Sequence, residues 1–162
     1  MPVIFKKRSG TPIEPAFIIS VKGNVGNTFT IPTDATYTYL YDVEVVGGAT
    51  HTGKTGNFTV PGLTSGVDYD LRITGTFTKI YFNAVGVDKA NIYDVKNWGT
   101  GAWLGMGQSF NGCTNLQITA TDIPNVTAAT SYQRTWWDCS NLTTLNISGW
   151  DLSNAISFNG TF

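Results

Sequence analysis

The sequence predicts a mainly β chain in two parts: a β-sandwich-like domain at residues 16–86, then a stacked repeat of period 26 at residues 87–162. Three observations carry this. Short β-favouring runs alternate with turn residues through the first half. Glycine, threonine, asparagine and aromatic residues are abundant, while long runs of Ala, Glu, Lys and Leu are missing. Apolar columns recur at one fixed spacing in the second half. With 162 residues, the chain has room for one ordinary domain or two small ones of roughly 80 residues each.

Residues 1–15 carry Lys6, Lys7 and Arg8 and then Pro12, Glu14 and Pro15. No apolar run with a small-residue cleavage site follows the basic cluster, so a signal peptide is not predicted. Either the protein is not exported by that route or its signal has been removed. The extended, proline-punctuated character fits an attachment arm. From Ala16 onward the runs are 17–22, 28–31, 37–46, 57–60, 69–74 and 79–82. They are separated by Gly23-Asn24, Pro32-Thr33-Asp34, Gly47-Gly48, Pro61-Gly62 and Ser65-Gly66, each a turn signal. Six or seven short strands imply a sandwich or small barrel. In 69–73 (YDLRI) the apolar residues should face inward and the charged ones outward.

Composition excludes several function classes. The net charge is -1 and Lys and Arg form no stripe, so nucleic acid is not an expected partner. No apolar stretch reaches the ~20 residues that span a bilayer. Two cysteines and one histidine, His51, do not make a metal site, and no cofactor is expected. His51 lies in the Gly- and Thr-rich stretch 47–56 and is expected as an exposed loop residue. Asp42 and Glu44 share one strand face, where a solvated face is a better account than a catalytic carboxylate pair. Gly47-Gly48 belongs to no phosphate-binding pattern. Asn-x-Ser/Thr triplets begin at Asn57, Asn125, Asn141, Asn146 and Asn159, as expected by chance in a chain of this composition.

The repeat emerges when the second half is slid against itself. Phe110, Trp136 and Phe162 fall 26 residues apart, as do Cys113 and Cys139, Asn115 and Asn141, and Leu116 and Leu142. Residues 109–116 (SFNGCTNL) align with 135–142 (TWWDCSNL). The same shift puts Trp98, Pro124 and Trp150 in one column, Met106, Tyr132 and Phe158 in another, and Val126 with Leu152. A period of this size with an Asn-Leu pair is the signature of a leucine-rich-repeat-type solenoid. Its turns share a core that none could bury alone, so these columns are expected as buried ladders. Equivalent positions on adjacent turns lie about 5 Å apart, which permits a Cys113–Cys139 bridge. Free, stacked thiols are the preferred reading. Asn115 and Asn141 are expected to bond backbone groups at the bend.

Two tryptophans leave the ladder. Trp137 aligns with the polar Asn111 and should point outward beside Arg134 and Asp138. With Tyr93 it supplies the candidate contact surface: Trp137, Arg134 and Tyr93. Trp103 aligns with Ala129 and Ala155 and should cover the first turn where the two parts meet. Phe162 opens a third repeat and leaves an apolar rung without the polar terminal unit that such stacks need. Either the natural chain continues there or a partner or second copy stacks on it.

Residues 67–80 (VDYDLRITGTFTKI), 97–103 (NWGTGAW), 109–116 and 148–154 (SGWDLSN) together resemble, in order and spacing, the BspA-like leucine-rich-repeat surface proteins of bacteria, protists and phages. The resemblance spans residues 16–162. The family's lead-in domain often carries a Trp-Gly-Asp-Gly turn of the PKD-like sandwich type; the matching residues 44–48 (EVVGG) have neither the tryptophan nor the aspartate. The resemblance implies non-covalent adhesion and display, with no shared catalytic residues. The leading expectation is therefore a phage virion structural or appendage protein, located in the virion. The alternative is an adhesin on the bacterial cell surface. Expected partners are virion components or a host-surface receptor, with a glycan and further copies of the chain as additional candidates. An enzyme acting on glycans is disfavoured because the repeats hold no carboxylate pair or nucleophile-base pair.

Overall fold

The computed structural model describes residues 15–83 and 88–162. The fold is mainly β. Its first strand, β1 (Phe17–Lys22), alternates strictly, with Phe17, Ile19 and Val21 buried and the residues between them half-exposed. It is followed by β2 (Phe29–Ile31), β3 (Leu40–Val45), β4 (Thr50–Lys54), β5 (Phe58–Val60), β6 (Asp68–Thr76), β7 (Ile92–Asn97) and the short β8 (Gln117–Ile118), of which β2 and β3 alternate in the same way. Six strands make one sheet in the order β4-β3-β6-β1-β7-β8, antiparallel except for the β7–β8 pair. Strands β2 and β5 form a separate antiparallel ribbon whose Phe29, Ile31 and Val60 join the same core, giving the first half a loosely sandwich-like character.

The structure departs from the sequence-based expectations at four places. The stretch around His51 is not an exposed loop but strand β4, entered through a tight turn in which Gly47 takes a positive φ of 78°. His51 is half-buried there, its ring 5.1 Å from that of Phe58. The run 37–46 enters its strand only at Leu40, because Asp34 accepts hydrogen bonds from the Thr36 N–H and hydroxyl and holds a turn ahead of it. Residues 79–82 are not a strand. Their N–H groups go to different elements, Tyr81 to the Pro32 carbonyl and Phe82 to that of Ser109, while Ile80 and Phe82 are fully buried. Finally, β7, which the sequence reading placed in the second part, pairs with β1 inside the main sheet. The expected boundary at residue 86 and most of the arm, residues 1–14, lie outside the described residues.

Beyond β7 regular strands almost cease, yet residues about one period apart are held together by a hydrogen-bonded ladder. Gln108, Phe110 and Gly112 donate their N–H groups to the carbonyls of Gln133, Thr135 and Trp137, at 2.9, 2.9 and 2.8 Å. One sequence period on, Tyr132, Arg134 and Trp136 donate to Ser157, Asn159 and Thr161, at 2.8, 3.1 and 2.8 Å. The rings of Tyr132 and Phe158 stack at 5.2 Å, and those of Trp136 and Phe162 at 5.6 Å. Backbone conformation repeats as well: Gln108, Arg134 and Gly160 all take positive φ (60°, 51° and 59°), as do Gly112 and Asp138 (79° and 59°).

The ladder columns do not share one degree of burial. Met106, Phe110, Cys113 and Leu116 are fully buried, and Tyr132, Trp136, Cys139, Trp98 and Trp150 nearly so. Leu142 is only partly buried, while Phe158 and Phe162 are exposed. Both cysteines are free and buried; Cys139 Sγ donates to the Phe110 carbonyl at 3.0 Å, and burial pushes its thiol up to about 12. Asn115 bonds backbone as expected, donating to the Ala90 carbonyl, but Asn141 donates instead to the Asn115 side-chain oxygen. Trp103 stands edge-on to Phe17 (4.8 Å), Trp98 (5.5 Å) and Phe77 (6.3 Å), so buried side chains from both halves form one continuous core.

Candidate interaction surfaces

Trp137 is an exposed aromatic on the flank of the repeat. It is 47% exposed, and two neighbours fix its orientation. The Arg134 guanidinium lies 5.8 Å from its ring centre, a cation–π contact. The ring also covers Gly160, where an added Cβ would sit 3.2 Å from ring atoms Cε3 and Cζ3. The bare backbone of Gly160 thus lets the indole pack closely against the next rung. Sequence reasoning found Trp137 and Arg134 but missed Gly160. The signal was present in the third repeat, where glycine falls in the Arg134 column.

Tyr93 is not part of that surface. It lies on β7 at the sheet face, with Lys22 Nζ 4.2 Å above its ring, beside a shallow depression of about 400 Å³ lined also by Ser20, Asp70 and Lys96. This face is a lattice of compensated charges: Lys96 with Asp70 (2.9 Å), Arg72 with Glu44 (3.3 Å) and Lys22 with Asp68 (3.6 Å). Glu44 is therefore tied to Arg72, and Asp42 accepts the Gly53 N–H at 2.7 Å, pinning the irregularity between β3 and β4. The two carboxylates serve the sheet separately.

Acid should expose these pairings. Burial raises the Asp70 pKa, but hydrogen bonds from Lys96 and Ser20 outweigh it and hold the carboxyl below its ordinary range. Asp34 behaves alike, with bonds from Lys79 and Thr36 overcoming burial. Both groups titrate lower in the folded than in the unfolded chain. Their stabilisation is complete above the ordinary carboxylate pKa of about 4 and is lost as pH falls through the depressed values. Unfolding free energy measured by denaturant titration should decline across that window, and Lys96→Met should flatten the Asp70 share of the decline. An unchanged slope in this variant would remove the pairing from the account.

The far end of the repeat is apolar. Phe162 is 72% exposed, and together with the exposed Phe158 and Ile147 it lines a small cavity of about 60 Å³ against Trp136 and Trp150. Among the described residues no three His, Cys, Asp or Glu side chains converge to hold a metal ion, and no helix is long and apolar enough to cross a membrane.

No family model, curated protein or solved structure matches this chain.

Proposed function

We propose that this chain is a non-catalytic structural or binding protein that displays a repeat surface, with the Trp137–Arg134 flank as its contact site for a protein partner. The carrying observation is an exposed tryptophan fixed by Arg134 and Gly160 on a hydrogen-bonded ladder. Tryptophan and arginine are the residue types that most often dominate binding energy, and a pre-set pose lowers the ordering cost of association. We read the ladder as the start of a leucine-rich-repeat-type solenoid. The bonds between residues 25 apart, the stacked rings 26 apart and the recurring positive-φ positions support that reading, as does the resemblance to BspA-like repeats.

The setting we propose is a virion appendage, with bacterial surface display as the alternative. Fractionation of native material separates them: recovery with assembled particles supports the first, recovery with the envelope the second. The contact site has its own test. Fluorescently labelled protein is bound to intact cells and particles from its source, and Trp137→Ala and Arg134→Ala are compared with the parent after melting curves confirm equal folding. Trp137→Ala should weaken retention by about 2 kcal/mol, roughly thirtyfold. Equal retention by both variants sinks the assignment.

A further inference from the structure

A second cleft lies where the two halves meet, on neither the Trp137 flank nor the charged sheet face. It has a volume of about 210 Å³ and is walled by Tyr37, Lys79 and Tyr81 from the first half and by Gln108, Ser131 and Gln133 from the repeat. Lys79 is only 7% exposed, an unusual place for an ammonium. Its Nζ donates to Asp34 at 2.8 Å and sits 4.8 Å from the centre of the Tyr81 ring and 5.3 Å from that of Tyr37. Tyr39 ties this pair down, donating its hydroxyl to the Lys79 carbonyl while accepting from the Asp34 N–H. On the opposite side Tyr81 donates to Gln108, which also contacts Asn83. Glycine at 105 leaves room for the Tyr37 hydroxyl, which would lie 2.5 Å from a Cβ there.

Size and charge narrow the ligand. The volume falls below the ~300–1,000 Å³ of sites for drug-sized molecules, leaving room for about one ring. Asp34 neutralises Lys79, so the cleft offers no net charge to attract a phosphate or carboxylate. An ammonium has three donors and Asp34 takes one of them. The Gln133 carboxamide and the Ser131 hydroxyl add donors and acceptors, and Tyr37 and Tyr81 add two aromatic rings that flank the Lys79 ammonium. Hydroxyls in several directions and an apolar ring face are the properties of a pyranose. We propose that this junction cleft binds a single neutral sugar ring, as the terminal unit of a glycan.

The test uses the full chain. Saturation-transfer NMR is run with glucose, galactose, mannose, fucose and N-acetylglucosamine, and a glycan array carries the same sugars as terminal units. At least one neutral sugar should receive saturation at its ring protons. Gln133→Ala should weaken that binding about tenfold, the loss of one well-made hydrogen bond. Ser131→Ala should act in the same direction. Trp137→Ala should leave it unchanged, so failure here and failure of the flank assignment are told apart. Binding on the array but not by free sugars supports the terminal-unit form. Three results overturn the proposal: no neutral sugar binds in either format, binding survives both cleft variants, or sialic acid or inorganic phosphate binds in preference.

Discussion

Trp103→Ala should destabilise the protein by about 3–5 kcal/mol, the range for removing a large buried aromatic. The loss should reach both halves together. Trp103 is 1% exposed and touches Phe17 on the first strand, Phe77 after β6 and Trp98 at the start of the repeat. Its removal opens a cavity in a core that both halves share, and typical total stability is only about 5–15 kcal/mol. Guanidinium unfolding followed by far-UV circular dichroism and by tryptophan fluorescence should give coincident transitions at a lower midpoint. Separate transitions, with the sheet surviving after the repeat has melted, would mean that the two halves fold independently. Trp103→Phe keeps most of the volume and supplies the measurement if the alanine variant does not fold.

Gly99→Val should be nearly as damaging, for a different reason. Gly99 has a φ of 76°, and a Cβ there would lie 2.6 Å from the Pro15 carbonyl oxygen and 2.7 Å from the Ala16 carbonyl carbon. All three atoms nearest that Cβ are backbone, which cannot swing aside. The Asp122 carboxylate accepts the N–H groups of Trp98 and Gly99, Asn97 donates to the Ala16 carbonyl, and Thr100 donates to that of Pro15. With the clash added to the cost of a β-branched residue in that conformation, the expected loss is about 3 kcal/mol or more. In a chain of this size that lowers the melting temperature by about 10 °C. Gly101, two residues on, has open space around its Cβ direction. Gly101→Val should stay within about 0.5 kcal/mol. Equal melting of the two variants in differential scanning calorimetry would show that the crowding at Gly99 has no energetic consequence.

Much of this architecture was legible because its signals are local. Strand β1 fills the run 17–22 end to end, since every second residue there is apolar and a Gly-Asn turn follows. The repeat spacing likewise pointed to the residues that stack, Tyr132 on Phe158 and Trp136 on Phe162. What escaped the reading depends on distant partners. Strand β4 is Thr-His-Thr-Gly-Lys, with no apolar alternation, and becomes a strand because β3 offers it an edge. Residues 79–82 look like a strand in isolation, yet two separate elements take their N–H groups. Strand β7 resembles its surroundings in composition, and only pairing with β1 assigns it to the sheet.

The candidate contact residues divide along the same line. Trp137 and Arg134 sit three apart in one turn, so column logic could reach them. Tyr93 was grouped with them by residue type alone and belongs to another face. Nothing local marked the junction cleft, whose walls come from residues as far apart as Asp34 and Gln133.

The ladder has a bearing on how such a chain can change length over generations. Each of the six ladder bonds from residues 108, 110, 112, 132, 134 and 136 joins a donor to an acceptor 25 positions later, and left-handed backbone recurs at 108, 134 and 160. Gain or loss of a whole turn leaves every donor facing an acceptor. A single-residue insertion between 108 and 136 instead moves those conformations out of step with the groups they place. Within this segment a change of length in whole units preserves the bonding pattern, and the spacing between equivalent positions is set by backbone geometry.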